Sequence, residues 1–190
     1  MQSKLISFLA VMVLALSSQF ALADKFAEAR QVFQDAGESA AFFNNSYGYA
    51  IFPSIGKGGI GVGGAYGDGK VFVGGKEVGK TSMTQLSVGF QLGGQVYSQI
   101  IFFEDKRAFD DFSSGNFEFS AQATAVAITA GASAQSSTGG GSSAGASGGQ
   151  KDASTVSAGY NKGMAVFTVA KGGLMYEAAL AGQKYSYEAL

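Results

Sequence analysis

The stretch from Tyr49 to Gly94 constrains this chain most, because glycine is dense there while apolar residues still alternate. It begins YAIFPSIGKGGIGVGGAYGDGKVFVGGKEVGKT and ends LSVGFQLGG. Ile60, Val62 and Tyr66 recur at even spacing, and so do Leu86, Val88, Phe90 and Leu92. A period of two predicts strands, each with one apolar face. Gly59, Gly61 and Gly63 stand between the apolar positions of the first run. A strand face made of glycine lets another backbone, or a ligand, come close.

The chain has 190 residues, 46% of them hydrophobic, enough for one domain with its own core. Only 14% are charged, and 29 glycines against one proline point to a β-rich module. Met1 to Ala23 has the layout of a secretory signal peptide. Lys4 supplies the positive start, Leu5 to Leu16 the apolar run, and Ala21-Leu22-Ala23 the small-x-small cleavage site. Residues 24–190 are expected to form the mature domain, in the periplasm or secreted, and peripheral to a membrane where it meets one. Cleavage removes one of 13 basic side chains and none of the 14 acidic ones, which leaves no basic excess for nucleic acid. The sequence has no cysteine, so disulfides, thiol catalysis and thiolate metal sites are excluded. It has no histidine, the commonest general base and metal ligand. No cofactor is expected.

Asp24 to about Asn45 predicts helix, with Phe26, Ala29, Phe33, Ala36, Ala40 and Phe43 on one stripe and a break near Gly37. Such a helix docks on its own sheet or lies on a membrane; the acids Glu28, Asp35 and Glu38 balance Lys25 and Arg30 and favour docking. Strands follow at 47–54 (closed by Pro53), 58–66, 70–73, 84–92 and 95–103. Gly67-Asp68-Gly69 and Gly74 to Gly79 are expected as turns. Glu104 to Phe112 predicts a short helix with Phe109 and Phe112 inward, and Phe117 to Thr129 a long strand. Residues 131–150, almost pure Gly, Ser and Ala, are expected to be a flexible loop. Short strands at 155–160, 164–170, 174–181 and 184–187 complete an antiparallel meander. The fold class is α+β, mostly antiparallel β, with an N-terminal helix packed on a glycine-rich meander or barrel-like sheet.

Two nucleotide motifs are present and neither has its required context. Gly74 to Thr81 satisfies the phosphate-loop pattern, which works only if a helix starts at Lys80-Thr81. The residues that follow alternate with period two, so the chain continues as a strand. Gly59 to Gly64 satisfies the dinucleotide pattern but leads into a turn instead of a helix. No nucleotide partner is expected. Glu104, Asp105, Asp110 and Asp111 form a solvated helix face, and no histidine activates a serine, so the chain is not expected to be an enzyme.

The basic residues are the candidate site. From 57 to 80, Lys57, Lys70, Lys76 and Lys80 stand against Asp68 and Glu77. Glycine turns expose amides, and lysines beside them add the charge that holds a phosphate or an anionic headgroup. Solvated turn lysines are the alternative for each.

YAIFPSIGKGGIGVGGAYG is similar to the SYLF family, the lipid-binding domain known also from yeast actin-binding proteins. SVGFQLGGQVYSQIIFF resembles its glycine-flanked central strand pair. Lys106 to Phe112 resembles its short helix, FEFSAQATAVA its long small-residue strand, and Asn161 to Met164 its Ser-Lys-Gly-Leu turn. The resemblance spans roughly 28–188. It implies a module without catalysis that binds acidic lipids, phosphoinositides in eukaryotic members. Actin, bound by those members, is not expected for an exported protein. The family's lipid contact is ascribed partly to basic residues of an N-terminal helix, where only Lys25 and Arg30 stand. The expected lipid-binding set is therefore Lys57, Lys76, Lys80, Lys162, Lys25 and Arg30. The expected function is a lipid- or membrane-surface-binding module of the cell envelope that recognises anionic headgroups. The alternative is a small outer-membrane or structural β-barrel, which the alternation and the polar Gln85, Ser87 and Gln91 also suit.

Overall fold

The computed structural model describes residues 25–60, 62–88, 95–119, 126–128, 159–171, 180 and 182–190. β1 (Gly48–Ile60), β2 (Val62–Val73) and β3 (Lys76–Val88) form a meander, with Gly74-Gly75 as the turn between β2 and β3. Both turn glycines have positive φ, 56° and 79°, the conformation that a two-residue hairpin turn demands and that glycine adopts without strain. β4 (Gln95–Phe103) returns along the other side of β1, and β7 (Met164–Lys171) lies beyond it. β8 (Gln183–Ala189) pairs with β3. β5 (Phe117–Glu118) and β6 (Val126–Ile128) stand at the two ends of the order β5-β8-β3-β2-β1-β4-β7-β6, with β6 parallel to β7.

The sheet curls into a half-barrel. Gln99 of β4 and Tyr185 of β8 are four strand spacings apart, about 19 Å on a flat sheet. Yet Gln99 Nε2 donates to the Tyr185 hydroxyl at 2.7 Å and to Gln183 Oε1 at 3.1 Å. Gln183 Nε2 in turn donates to the Tyr97 hydroxyl at 3.3 Å. Around this polar clamp the inner face packs Phe52, Ile55, Val71, Met83, Ile101 and Phe103. Burial raises the hydroxyl pKa of Tyr185 well above its ordinary value and that of Tyr97 to about 12, so both stay protonated.

The outer face is covered over β1, β4 and β7 by three helices: α1 (25–35), α2 (Gly37–Ala40) and α3 (Phe42–Asn45). Ala29, Phe33 and Phe42 pack on Tyr49, Ile51, Ile100, Phe102 and Phe167. The apolar stripe of the N-terminal helix thus docks on its own sheet. The helix break falls at Ala36, whose backbone is extended, and Gly37 opens the next helix. The buried Ser39 hydroxyl donates to the Phe33 carbonyl at 2.6 Å and satisfies it there. A fourth helix, α4 (Lys106–Ser113), closes one end of the inner core with Ala108 and Phe112. Asp105 caps it by accepting from the Ala108 amide at 2.8 Å.

The glycine stretch departs from the sequence reading in three ways. Residues 58–66 are no single strand: β1 ends at Ile60 and β2 starts at Val62. Gly67-Asp68-Gly69 is no turn but the middle of β2. The apolar parity also points the other way. Tyr66 is 54% exposed and Leu86 84% exposed, whereas the interleaved Gly63, Ala65, Gly67, Gly69, Met83 and Gln85 are buried. Volume decides this. A Cβ on Gly67 would sit 2.6 Å from Ile55 Cγ1, and one on Gly69 would sit 2.6 Å from the Phe52 ring. Large side chains of β1 fill the inner face beside Gly63, Ala65, Gly67 and Gly69, so β2 keeps those positions small and contributes a larger side chain only at Val71. The chain from Lys76 to Val88 is strand throughout, so the phosphate-loop pattern has no helix behind it. Of the expected long strand from Phe117 to Thr129, the described residues show two short strands, β5 and β6, at opposite ends of the sheet order, with 120–125 outside the described residues. The signal segment, the 131–150 loop and the strand at 174–181, apart from Leu180, also lie outside them.

Gly69→Ala is therefore expected to lower the unfolding free energy by about 1–3 kcal/mol through overpacking. Gly58, around which a Cβ meets nothing within 4 Å, is the matched control, and its alanine variant should change stability by less than about 0.5 kcal/mol. Urea midpoints that fall equally for both variants would show that close approach at Gly69 is not the cause.

Candidate functional site

A cleft of about 210 Å³ opens where the edge of α1 overhangs β1 and β2. Phe26 and Ala27 come from the helix, and Ile51 and Phe72 from the sheet. Arg30, Tyr49 and Lys70 complete the lining. The sequence builds it by alternation. Tyr49 and Ile51 are outward on β1, and Lys70 and Phe72 are outward on β2. Arg30 follows the buried Ala29, which places it at the margin of the docked helix stripe.

The polar groups are set differently from one another. Lys70 Nζ donates to Glu77 Oε2 at 2.8 Å and lies 5.1 Å from the centroid of the Phe26 ring. Arg30 lies 6.0 Å from the Phe43 ring centroid and has no ion pair among the described residues. Tyr49 is 5% exposed, stacks on Phe72 with ring centroids 5.1 Å apart, and meets Phe43 edge-on at 5.3 Å. Its hydroxyl is buried without a hydrogen-bond partner among the described residues. Burial raises its pKa and the nearby Arg30 charge holds it back, so at neutral pH it is a protonated donor. The arrangement offers a cation, a neutral donor and apolar walls.

The six basic residues named from the sequence do not form one patch. Arg30 lines the cleft, and Lys25 is exposed on the same helix. Lys80 pairs in register with Lys70, so it stands on the next strand beside the cleft. Lys76 sits at the Gly74-Gly75 turn. Lys57 is nine residues along β1 from Gly48, whose partner Val73 pairs with Lys76, so roughly 30 Å of strand separates the two. Lys162 occupies a turn before β7 with φ 52°, across β2, β1 and β4 from Lys76. Lys57, Lys70 and Lys80 lie within strands, not turns.

Sequence reasoning passed over Tyr49 and left Lys70 out of its final set. The signal for Tyr49 was a hydroxyl inside an otherwise apolar strand, YAIF. The acidic pairs of α4 are accounted for by the fold. Asp105 caps the helix, Asp110 pairs with Lys106 at 2.7 Å, and Asp111 faces Arg107 at 3.5 Å. No group of three or more potential metal ligands occurs among the described residues.

Structurally this is a helix-covered antiparallel half-barrel with a basic, aromatic-walled cleft on its outer face. Residues 84–187 match the model of the Ysc84 family, described as Las17-binding protein actin regulator. The chain belongs to this family, the SYLF domains, and membership supports a lipid-binding module in general terms. It is similar to Beta cell expansion factor A of Aeromonas veronii, 29% identical over 157 residues, 82% of this chain and 51% of that protein. The chain thus spans about half the length of that relative. The cleft residues, 26–72, precede the segment that matches the family model.

Because the Tyr49 hydroxyl has no hydrogen-bond partner among the described residues, Tyr49→Phe should leave stability unchanged or raise it by up to about 1 kcal/mol. Chemical denaturation checks this, and a loss beyond about 1 kcal/mol would reveal a partner within the protein.

Proposed function

We propose that this protein is a non-catalytic module of the cell envelope that binds a lipid or membrane surface through anionic headgroups. Family membership supports lipid binding in general. The observation that carries the finer reading is the cleft, where an Arg30 with no ion pair among the described residues stands over apolar walls beside Lys70. Lys80 and Lys25 extend positive charge around it. The apolar N-terminal segment and its cleavage site support export, which removes the protein from actin.

The alternative, a small outer-membrane barrel, has one observation on its side: in β3, Leu86 faces out and Gln85 faces in. Against it, α1 to α3 occupy the outer face of β1, β4 and β7, where a barrel would meet lipid. Release from cells without detergent favours the envelope module, and a requirement for detergent favours the barrel.

Pelleting with vesicles tests the headgroup reading. Phosphatidylglycerol-containing vesicles should bring the protein down in a salt-sensitive way, and pure phosphatidylcholine vesicles should not. Arg30→Gln should weaken pelleting about fivefold, from the ~1 kcal/mol that one basic side chain contributes at an anionic surface. Equal pelleting with both vesicle types sinks the reading.

A further inference from the structure

We infer that the cleft under α1 is a binding site for one single-chain amphiphile with a monoanionic head, a fatty carboxylate or a lysophosphodiester. The inference rests on the lipid-binding reading above and narrows it from a surface to a molecule.

Charge sets the head. Two cations line the cleft, but Lys70 is held by Glu77 at 2.8 Å. On the neighbouring strand Lys80 faces Glu188 in register. Among the described residues Arg30 is left as the uncompensated charge lining the cleft, and one positive charge neutralises a monoanion. A polyphosphorylated head would remain mostly unneutralised there.

Hydrogen bonding points the same way. Tyr49 is more than nine-tenths buried, lines the cleft, and has a hydroxyl with no partner among the described residues. A carboxylate or phosphodiester oxygen accepts from that hydroxyl while Arg30 holds the charge. Protonated at neutral pH, the phenol adds a donor without adding a second charge.

Size sets the chain count. About 210 Å³ is below the ~300–1,000 Å³ of pockets that enclose a whole drug-sized ligand. The cleft holds a polar head and the first carbons of one chain, against Phe26, Ala27, Ile51 and Phe72.

Calorimetric titration below micellar concentration tests this with three twelve-carbon probes: dodecanoate, lauroyl lysophosphatidylglycerol and dodecanol. One or both anions should bind saturably at one site per protein, and dodecanol on the order of tenfold more weakly or not at all. Arg30→Gln and Tyr49→Phe should each weaken the anion on the order of tenfold, whereas the remote Lys76→Gln should not change it. The stronger anion identifies the source of the head. Absence of saturable anion binding overturns the inference, as does an affinity untouched by both cleft substitutions or equal affinity for dodecanol. Vesicle pelleting of the same variants separates the two levels. Loss of titratable binding with intact anionic pelleting rejects the single-molecule site and leaves the surface reading standing. Intact titration with vesicle-independent behaviour does the reverse.

Discussion

The interior volume of the curled sheet governs the rest of this structure. Curling brings β4 and β8 within hydrogen-bond reach, and the space between must hold Phe52, Ile55, Tyr97, Met83 and Tyr185. Native interiors are packed to crystal density, so a strand facing those rings has no room for its own large side chains. β2 meets that condition with Gly63, Ala65, Gly67 and Gly69. Glycine in a strand carries an entropic cost, about 0.5–1 kcal/mol relative to alanine. Here the burial of Phe52 and Ile55, each fully covered, offsets it.

The same constraint furnishes the outer face. With its inward positions from 63 to 69 reduced to glycine and alanine, and Val71 beyond them, β2 places Tyr66, Asp68, Lys70 and Phe72 outside. The helices cover β1, β4 and β7 but reach β2 only with the margin of α1. A helix edge over a partly covered strand leaves a gap, and its lining is whatever the two elements present: aromatic rings from both and one basic residue from each. The cleft is therefore a consequence of where the helical layer ends.

Much of this was legible in the sequence, and the failures share one cause. The sequence places β4 at its observed bounds and the helix ending in Phe112 within two residues at its start. The helix stripe named the residues that bury α1, because Phe26, Ala29 and Phe33 differ in polarity from their neighbours. The inner and outer faces of β2 and β3 were not legible. Hydrophobicity assigns Tyr66 and Leu86 inward and Gly67 and Gln85 outward, and the structure reverses all four. Polarity is written in each residue, but free volume depends on Phe52 and Ile55 arriving from another strand. Gln85, Gln99 and Gln183 escape for the same reason: each is polar alone, and only curling joins Gln99 and Gln183 into the clamp that makes burial tolerable. The basic set was named from linear proximity to glycine. Proximity along a strand is distance in space, which is why Lys57 and Lys76 part company while Arg30 and Lys70, forty residues apart in order of magnitude, share a wall.

Buried groups without partners carry the strongest argument for function, provided they are sorted by what surrounds them. Among the described residues the unpaired buried side-chain atoms are Tyr49 Oη, Tyr160 Oη, Gln99 Oε1 and Thr168 Oγ1. Gln99 and Thr168 face each other in register inside the half-barrel, on the opposite face of the sheet from the cleft. Tyr160 packs edge-on against Phe42, and the electrostatic influence on its hydroxyl is that of Glu104, which repels an anion. Tyr49 differs in having a cation beside it and a cleft in front of it. Its ring neighbours Phe43, Phe72 and Phe102 show that a phenylalanine would pack at this position. Burying a hydroxyl costs desolvation free energy, and no partner among the described residues returns it here. That cost is recovered only when an acceptor enters from outside, and the charge of Arg30 decides that the acceptor is an anion.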